Sequence, residues 1–172
     1  MTKIILWFQW RCLLELFKQG KEQQMRILVV EDDQYKHDIL LNFLQKKLNN
    51  STIISAKSVS SSIKAINDEL FDYIILDMSL PTFDVSSTES GGKPQGFGGV
   101  DILRYLDSLD YLGAVIVVTQ FEKFGDGVEE KDLTLLRSQL LDEFPQILKA
   151  VVYFDSTVKT WQNELSKVID LI

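Results

Sequence analysis

Apolar runs that end abruptly in acids set the pattern of this chain. Ile27-Leu28-Val29-Val30 runs into Glu31-Asp32-Asp33, and Tyr73-Ile74-Ile75-Leu76 runs into Asp77. Unbroken aliphatic runs of this length predict strands buried on both faces of a parallel sheet. Between them, Ile39/Leu40, Phe43/Leu44 and Leu48 recur at helical spacing, and Asn49-Asn50 closes that helix with turn-forming residues. A short strand, Thr52 to Ala56, follows. Val59, Ile63, Ile66 and Leu70 then mark one face of a second helix, with Ser58 placed to cap it. Beyond Asp77 the pattern predicts a helix through Val100, Leu103, Leu106 and Leu109, and a strand from Val115 to Val118 ending at Thr119. A fourth helix carries Leu133, Leu136, Leu140 and Leu141, with Glu129-Glu130-Lys131-Asp132 as its solvated start. A strand from Val151 to Phe154 leads into a closing helix with Val158, Trp161, Leu165, Val168, Ile169 and Ile172. Strands alternating with helices in this way predict an α/β fold, a doubly wound five-stranded parallel sheet with helices on both faces.

The acids change the picture from architecture to chemistry. Open α/β sheets bind ligands at the carboxyl edge of their strands, so Glu31, Asp32 and Asp77 are expected to meet in one crevice. Like charges held together raise each other's pKa unless a cation sits among them. A hard, oxygen-seeking ion such as Mg²⁺ suits three carboxylates. Acids at strand ends taken singly are ordinary solvated groups; the combination is what points to a metal site. His37, the only histidine, stands among polar residues early in the first helix and reads as a surface residue.

Composition narrows the class further. The chain has 172 residues, 45% hydrophobic and 25% charged, which suits one globular domain with a substantial core. A formal charge of −7 argues against a nucleic-acid surface, which needs clustered Lys and Arg. Cys12 is the only cysteine and has no partner for an internal disulfide, in keeping with a reducing, cytoplasmic setting. Residues 1 to 24 differ from the rest. They carry a net charge of +2, leaving −9 for the remainder, and hold two of the three tryptophans. Their apolar stretch from Ile4 to Phe17 is interrupted by Gln9, Arg11 and Glu15 and falls short of the ~20 residues a bilayer span requires. This N-terminal extension reads either as an amphipathic helix that docks on a membrane or a partner, or as sequence upstream of a true start at Met25, for which Lys21-Glu22 allows purine-rich codons at the right distance.

Ile-Leu-Val-Val-Glu-Asp-Asp at 27 to 33, Leu-Asp-Met-Ser-Leu-Pro at 76 to 81 and Val-Val-Thr at 117 to 119 resemble, in that order, the receiver domain of bacterial two-component response regulators. The resemblance covers residues 25 to 172, closely as far as Thr119. It implies a flavodoxin-like, CheY-like sheet of order 2-1-3-4-5. It also implies that Asp77 is the phosphoacceptor, attacking a phosphohistidine on a partner histidine kinase. By the same resemblance Glu31, Asp32, Asp77 and the backbone carbonyl of Ser79 hold Mg²⁺, while Asp33 is a non-ligating acid. Thr119 matches the hydroxyl that answers phosphorylation and switches binding to an effector protein.

Three departures from the receiver pattern bear on function. The phosphate-pairing lysine that receivers carry just after the fifth strand is absent near Asp155 and Ser156, which leaves Lys159 or Lys123 as substitutes. Gln120 follows Thr119 where a small residue admits the phosphodonor. A Gly/Ser-rich insertion, residues 85–97, adjoins the presumed site as a candidate lid. The expected function is therefore a stand-alone, non-enzymatic receiver with no membrane span. Its rivals are a phosphorylation-independent adaptor of the same shape and an aspartyl-phosphate phosphohydrolase. The second lacks its general acid, because Ser79 stands two residues after Asp77.

Overall fold

The computed structural model describes residues 24–84, 98–120, 123–124 and 131–172. Strands β1 (Met25–Val30), β2 (Ser51–Ala56), β3 (Tyr73–Leu76), β4 (Ala114–Thr119) and β7 (Leu148–Tyr153) form one sheet of order β2-β1-β3-β4-β7, with every neighbouring pair parallel. Helices α1 (Gln34–Lys47), α2 (Val59–Asp68), α3 (Gly98–Ser108), α4 (Leu133–Glu143) and α5 (Thr160–Leu171) cover it. Taken as the fifth strand of the sheet, β7 gives the expected order 2-1-3-4-5.

Strand alternation divides the core in two. Leu28, Val30, Ile74, Leu76, Val115 and Val117 pack with residues of α2, α3 and α4. Ile27, Val29, Tyr73, Ile75, Ile116, Val118, Val152 and Phe154 pack with Leu40 and Leu44 of α1 and Trp161, Leu165 and Ile169 of α5. Both faces of β1, β3 and β4 are thus dry, which is why those strands read as continuous apolar runs. Trp161 is 2% exposed and its ring lies 5.0 Å from that of Phe154 and 5.4 Å from that of Phe43, tying α5 to β7 and α1.

Some local expectations fail for identifiable reasons. Lys131–Asp132 is not a helix start but strand β6, paired antiparallel with β5 (Lys123–Phe124), so α4 begins only at Leu133. Val158 precedes α5 and is exposed, because Asp155 to Val158 form a turn in which Asp155 accepts from the backbone and hydroxyl of Thr157. Ile172 follows the helix and is exposed too. Leu70 lies past the end of α2, whose C-cap is Glu69. His37 is buried rather than on the surface, with Nε2 2.8 Å from Ser55 Oγ, since its position in α1 faces β2. Residues 1–23 of the N-terminal extension 1–24 and the insertion 85–97 lie outside the described residues.

Candidate phosphoacceptor and metal site

Parallel strands put all their carboxyl ends on one edge, and the register aligns them. Val30 pairs with Leu76, and the Asp77 N–H extends that ladder by donating to the Val30 carbonyl at 3.0 Å. Residues 27 and 29 point to the α1/α5 face, as do 73 and 75, so the alternation carries Glu31 and Asp77 to that same face. Glu31 is 2% and Asp77 3% exposed, and Asp32 is exposed at the lip. One carboxylate oxygen from each of the three lies within 4.8 Å of the others.

The segment that follows each acid is held by local chemistry. Asp33 N-caps α1: its carboxylate accepts from the Lys36 N–H at 2.7 Å, and its own N–H donates to Glu31 Oε1 at 3.1 Å. The Ser79 N–H donates to Asp77 Oδ2 at 3.2 Å, fixing the Asp77 carboxylate. Gly99 at the start of α3 donates to the Met78 carbonyl at 3.0 Å, and a Cβ on it would stand 2.5 Å from the Asp77 carbonyl oxygen. Only glycine permits so close an approach here. Ser58 caps α2 through a reciprocal pair with Ser61, and Val59 N–H donates to Pro81 O, so α2 secures the far end of the same loop.

The sequence reading missed the fourth member of the site, Lys36. Its side chain is 1% exposed and its ammonium lies 2.7 Å from both Asp77 Oδ1 and Glu31 Oε2. The contact to Asp77 is a hydrogen bond. The contact to Glu31 Oε2 is a second short ion pair, so the one ammonium bridges the two buried acids. A signal was present: Lys36, Leu40 and Leu44 are spaced four apart, so the lysine occupies the buried stripe of α1 one turn before its core leucines. Lys159, by contrast, is exposed at the start of α5, and Lys123 lies in β5.

Burial is the main cause that drives the Glu31 carboxyl up from its ordinary 4.5 to about 7; the Lys36 ammonium opposes the shift and the Asp77 charge adds to it. Asp32 is also raised, by burial first and by Asp77 second. Two acids whose ionised forms are disfavoured, with one oxygen of each of Glu31, Asp32 and Asp77 within 4.8 Å of the others, are a donor set that suits a hard divalent ion. Thr119, the last residue of β4, is fully buried, and its carbonyl accepts from Phe154 N–H at 2.7 Å. Gln120 is exposed beyond it. A groove of about 420 Å³ lies at the opposite, amino edge, between Met25, Tyr73, Leu112, Lys149 and Ile172. Asp72 lines it, but none of Glu31, Asp32 and Asp77 does.

No protein-family model matches the chain. Among curated proteins it is 30% identical over 147 residues to the Detocs response regulatory protein DtcB of Enterobacter cloacae (strain JD6301), spanning 84% of this chain and 98% of that one. The DtcB of Vibrio alginolyticus is 24% identical over 144 residues, 80% of this chain and 95% of its own. Among solved structures, the non-phosphorylated HemR receiver domain from Leptospira biflexa superposes with a TM-score of 0.58 at 20% identity, covering 86% of this chain and 96% of that one. Response regulator TrrA from Thermotoga maritima, solved in complex with Mg²⁺-BeF, gives 0.56 at 18% identity, over 84% and 98%. No helix among the described residues is long and apolar enough to cross a membrane. With the receiver fold and the relationship to DtcB together, the chain belongs to the response-regulator receiver family.

Proposed function

We propose that this receiver is phosphorylated on Asp77 by a partner histidine kinase in a Mg²⁺-dependent reaction, and that the change alters its binding to an effector protein. The observation that carries the reading is the convergence of Glu31, Asp32 and Asp77 at the carboxyl edge, with one oxygen of each within 4.8 Å of the rest. In the transfer, a carboxylate oxygen of Asp77 forms a bond to phosphorus while the P–N bond of the phosphohistidine breaks and its electron pair leaves with the imidazole. Glu31, Asp32, Asp77 and the Ser79 carbonyl are the groups that would hold the metal. Mg²⁺, when bound, supplies positive charge against the phosphoryl oxygens. The Ser79 N–H, donating to Asp77 Oδ2, orients the nucleophile without proton transfer. Thr119 is the group whose hydroxyl would report the new charge to the segment after β4.

The Lys36–Asp77 ion pair favours one other reading, a phosphorylation-independent adaptor whose nucleophile is kept neutralised. Beryllofluoride, a phosphoryl analogue, separates the two. With Mg²⁺ it should shift the amide NMR signals of Asp77, Thr119 and Gln120 in the wild type, and it should do nothing with Mg²⁺ omitted or in Asp77→Ala. An unresponsive wild type at saturating Mg²⁺ supports the adaptor.

A further inference from the structure

We infer that Lys36 is the cation that pairs with the phosphoryl group on Asp77, delivered from the first turn of α1 instead of from the end of the fifth sheet strand. This rests on the reading of Asp77 as phosphoacceptor. Four observations carry it. The ammonium stands 2.7 Å from Asp77 Oδ1, so a phosphoryl group bonded to that carboxylate is born beside it. Lys36 is 1% exposed, so water cannot solvate its charge and only the site's anions can. The Asp33 cap fixes the backbone of Lys36 through a 2.7 Å hydrogen bond, which aims the side chain along the buried stripe of α1. Finally, the residue that follows β7 on the same face is Phe154, whose ring centroid lies 5.7 Å from the ammonium and which packs on Trp161.

Phe154 therefore takes the volume from which a side chain at the end of that strand would approach Asp77. Its ring also offers a favourable face to the ammonium. Before phosphorylation the same ammonium pairs with both Glu31 and Asp77, its single positive charge shared between the two buried acids. The chain thus keeps a cation at the nucleophile while moving it to another element. A dianionic phosphoryl group offers more charge to Lys36 than the carboxylate it replaces, so the pair is strengthened by the reaction.

The test measures phosphorylation by acetyl phosphate with Mg²⁺, read as intact mass and as the lifetime of the modified form, and Mg²⁺ affinity by titration. In the reaction the P–O bond to the acetyl group breaks, acetate leaves with the electron pair, and Asp77 gains the phosphoryl group. Lys36→Gln should lower the modified fraction or its lifetime by about ten-fold or more, the worth of a charge-assisted hydrogen bond. It should bind Mg²⁺ at least as tightly as the wild type, because a competing cation is gone. A merely structural role would weaken both together. Lys36→Arg should retain part of the response. Because loss of a buried cation can unfold a variant, the swap Lys36→Met with Phe154→Lys is measured beside it and should restore phosphorylation. Equal modification and lifetime in the wild type and Lys36→Gln overturn the role of Lys36 while leaving Asp77 as phosphoacceptor. A wild type that gains no phosphoryl group overturns both.

Discussion

The raised carboxyl of Glu31 makes the stability of this fold depend on pH in an unusual direction. A native-state pKa of about 7 against an ordinary 4.5 means that the folded chain binds more protons at Glu31 than the unfolded chain between those values. The slope of unfolding free energy with pH is then negative. Stability from this group is fully present below 4.5, falls as pH rises through the window and is flat above about 7. At 1.36 kcal/mol per unit, the loss has an upper limit of about 3 kcal/mol. Asp32, shifted the same way, adds to it. The difference between wild type and Glu31→Gln isolates the term, since glutamine cannot titrate. Urea unfolding of both without divalent ions, at steps from pH 4.5 to 8, should show the wild type losing up to about 3 kcal/mol relative to the variant. Saturating Mg²⁺ should flatten the curve, because an ion among the acids favours their charged forms. A difference that rises with pH, or stays flat, refutes the burial argument for Glu31.

Other substitutions probe the supports of the site. Gly99→Ala places a Cβ 2.5 Å from the Asp77 carbonyl oxygen and 2.8 Å from Met78 Cα, so it should cost about 1–3 kcal/mol in urea unfolding and weaken Mg²⁺ binding through the displaced loop. Asp33→Ala removes the cap of α1 and should cost about 1 kcal/mol by the same measurement, with a further loss in phosphorylation as Lys36 loosens.

Most of the architecture was legible because β1, β3 and β4 are dry on both faces and leave a continuous apolar signature, while α1, α2 and α5 show their core stripes. The convergence of Glu31 and Asp77 was legible for the same reason: in a parallel sheet, strand ends share an edge. Lys36 was hidden because a lysine early in a polar helix turn reads as solvated, and only its one-turn offset from Leu40 marks it as buried. The burial of His37 was hidden likewise, since its partner Ser55 is distant in sequence. At Lys131–Asp132, charged residues that favour a helix start are instead recruited by pairing with Lys123–Phe124, a non-local contact that local propensity does not encode.

The central claim, that Asp77 accepts a phosphoryl group, is tested most directly by intact mass after incubation with acetyl phosphate and Mg²⁺. The wild type should gain the mass of one phosphoryl group, and Asp77→Ala or omission of Mg²⁺ should abolish the gain. An unmodified wild type, or a gain that survives Asp77→Ala, contradicts the account.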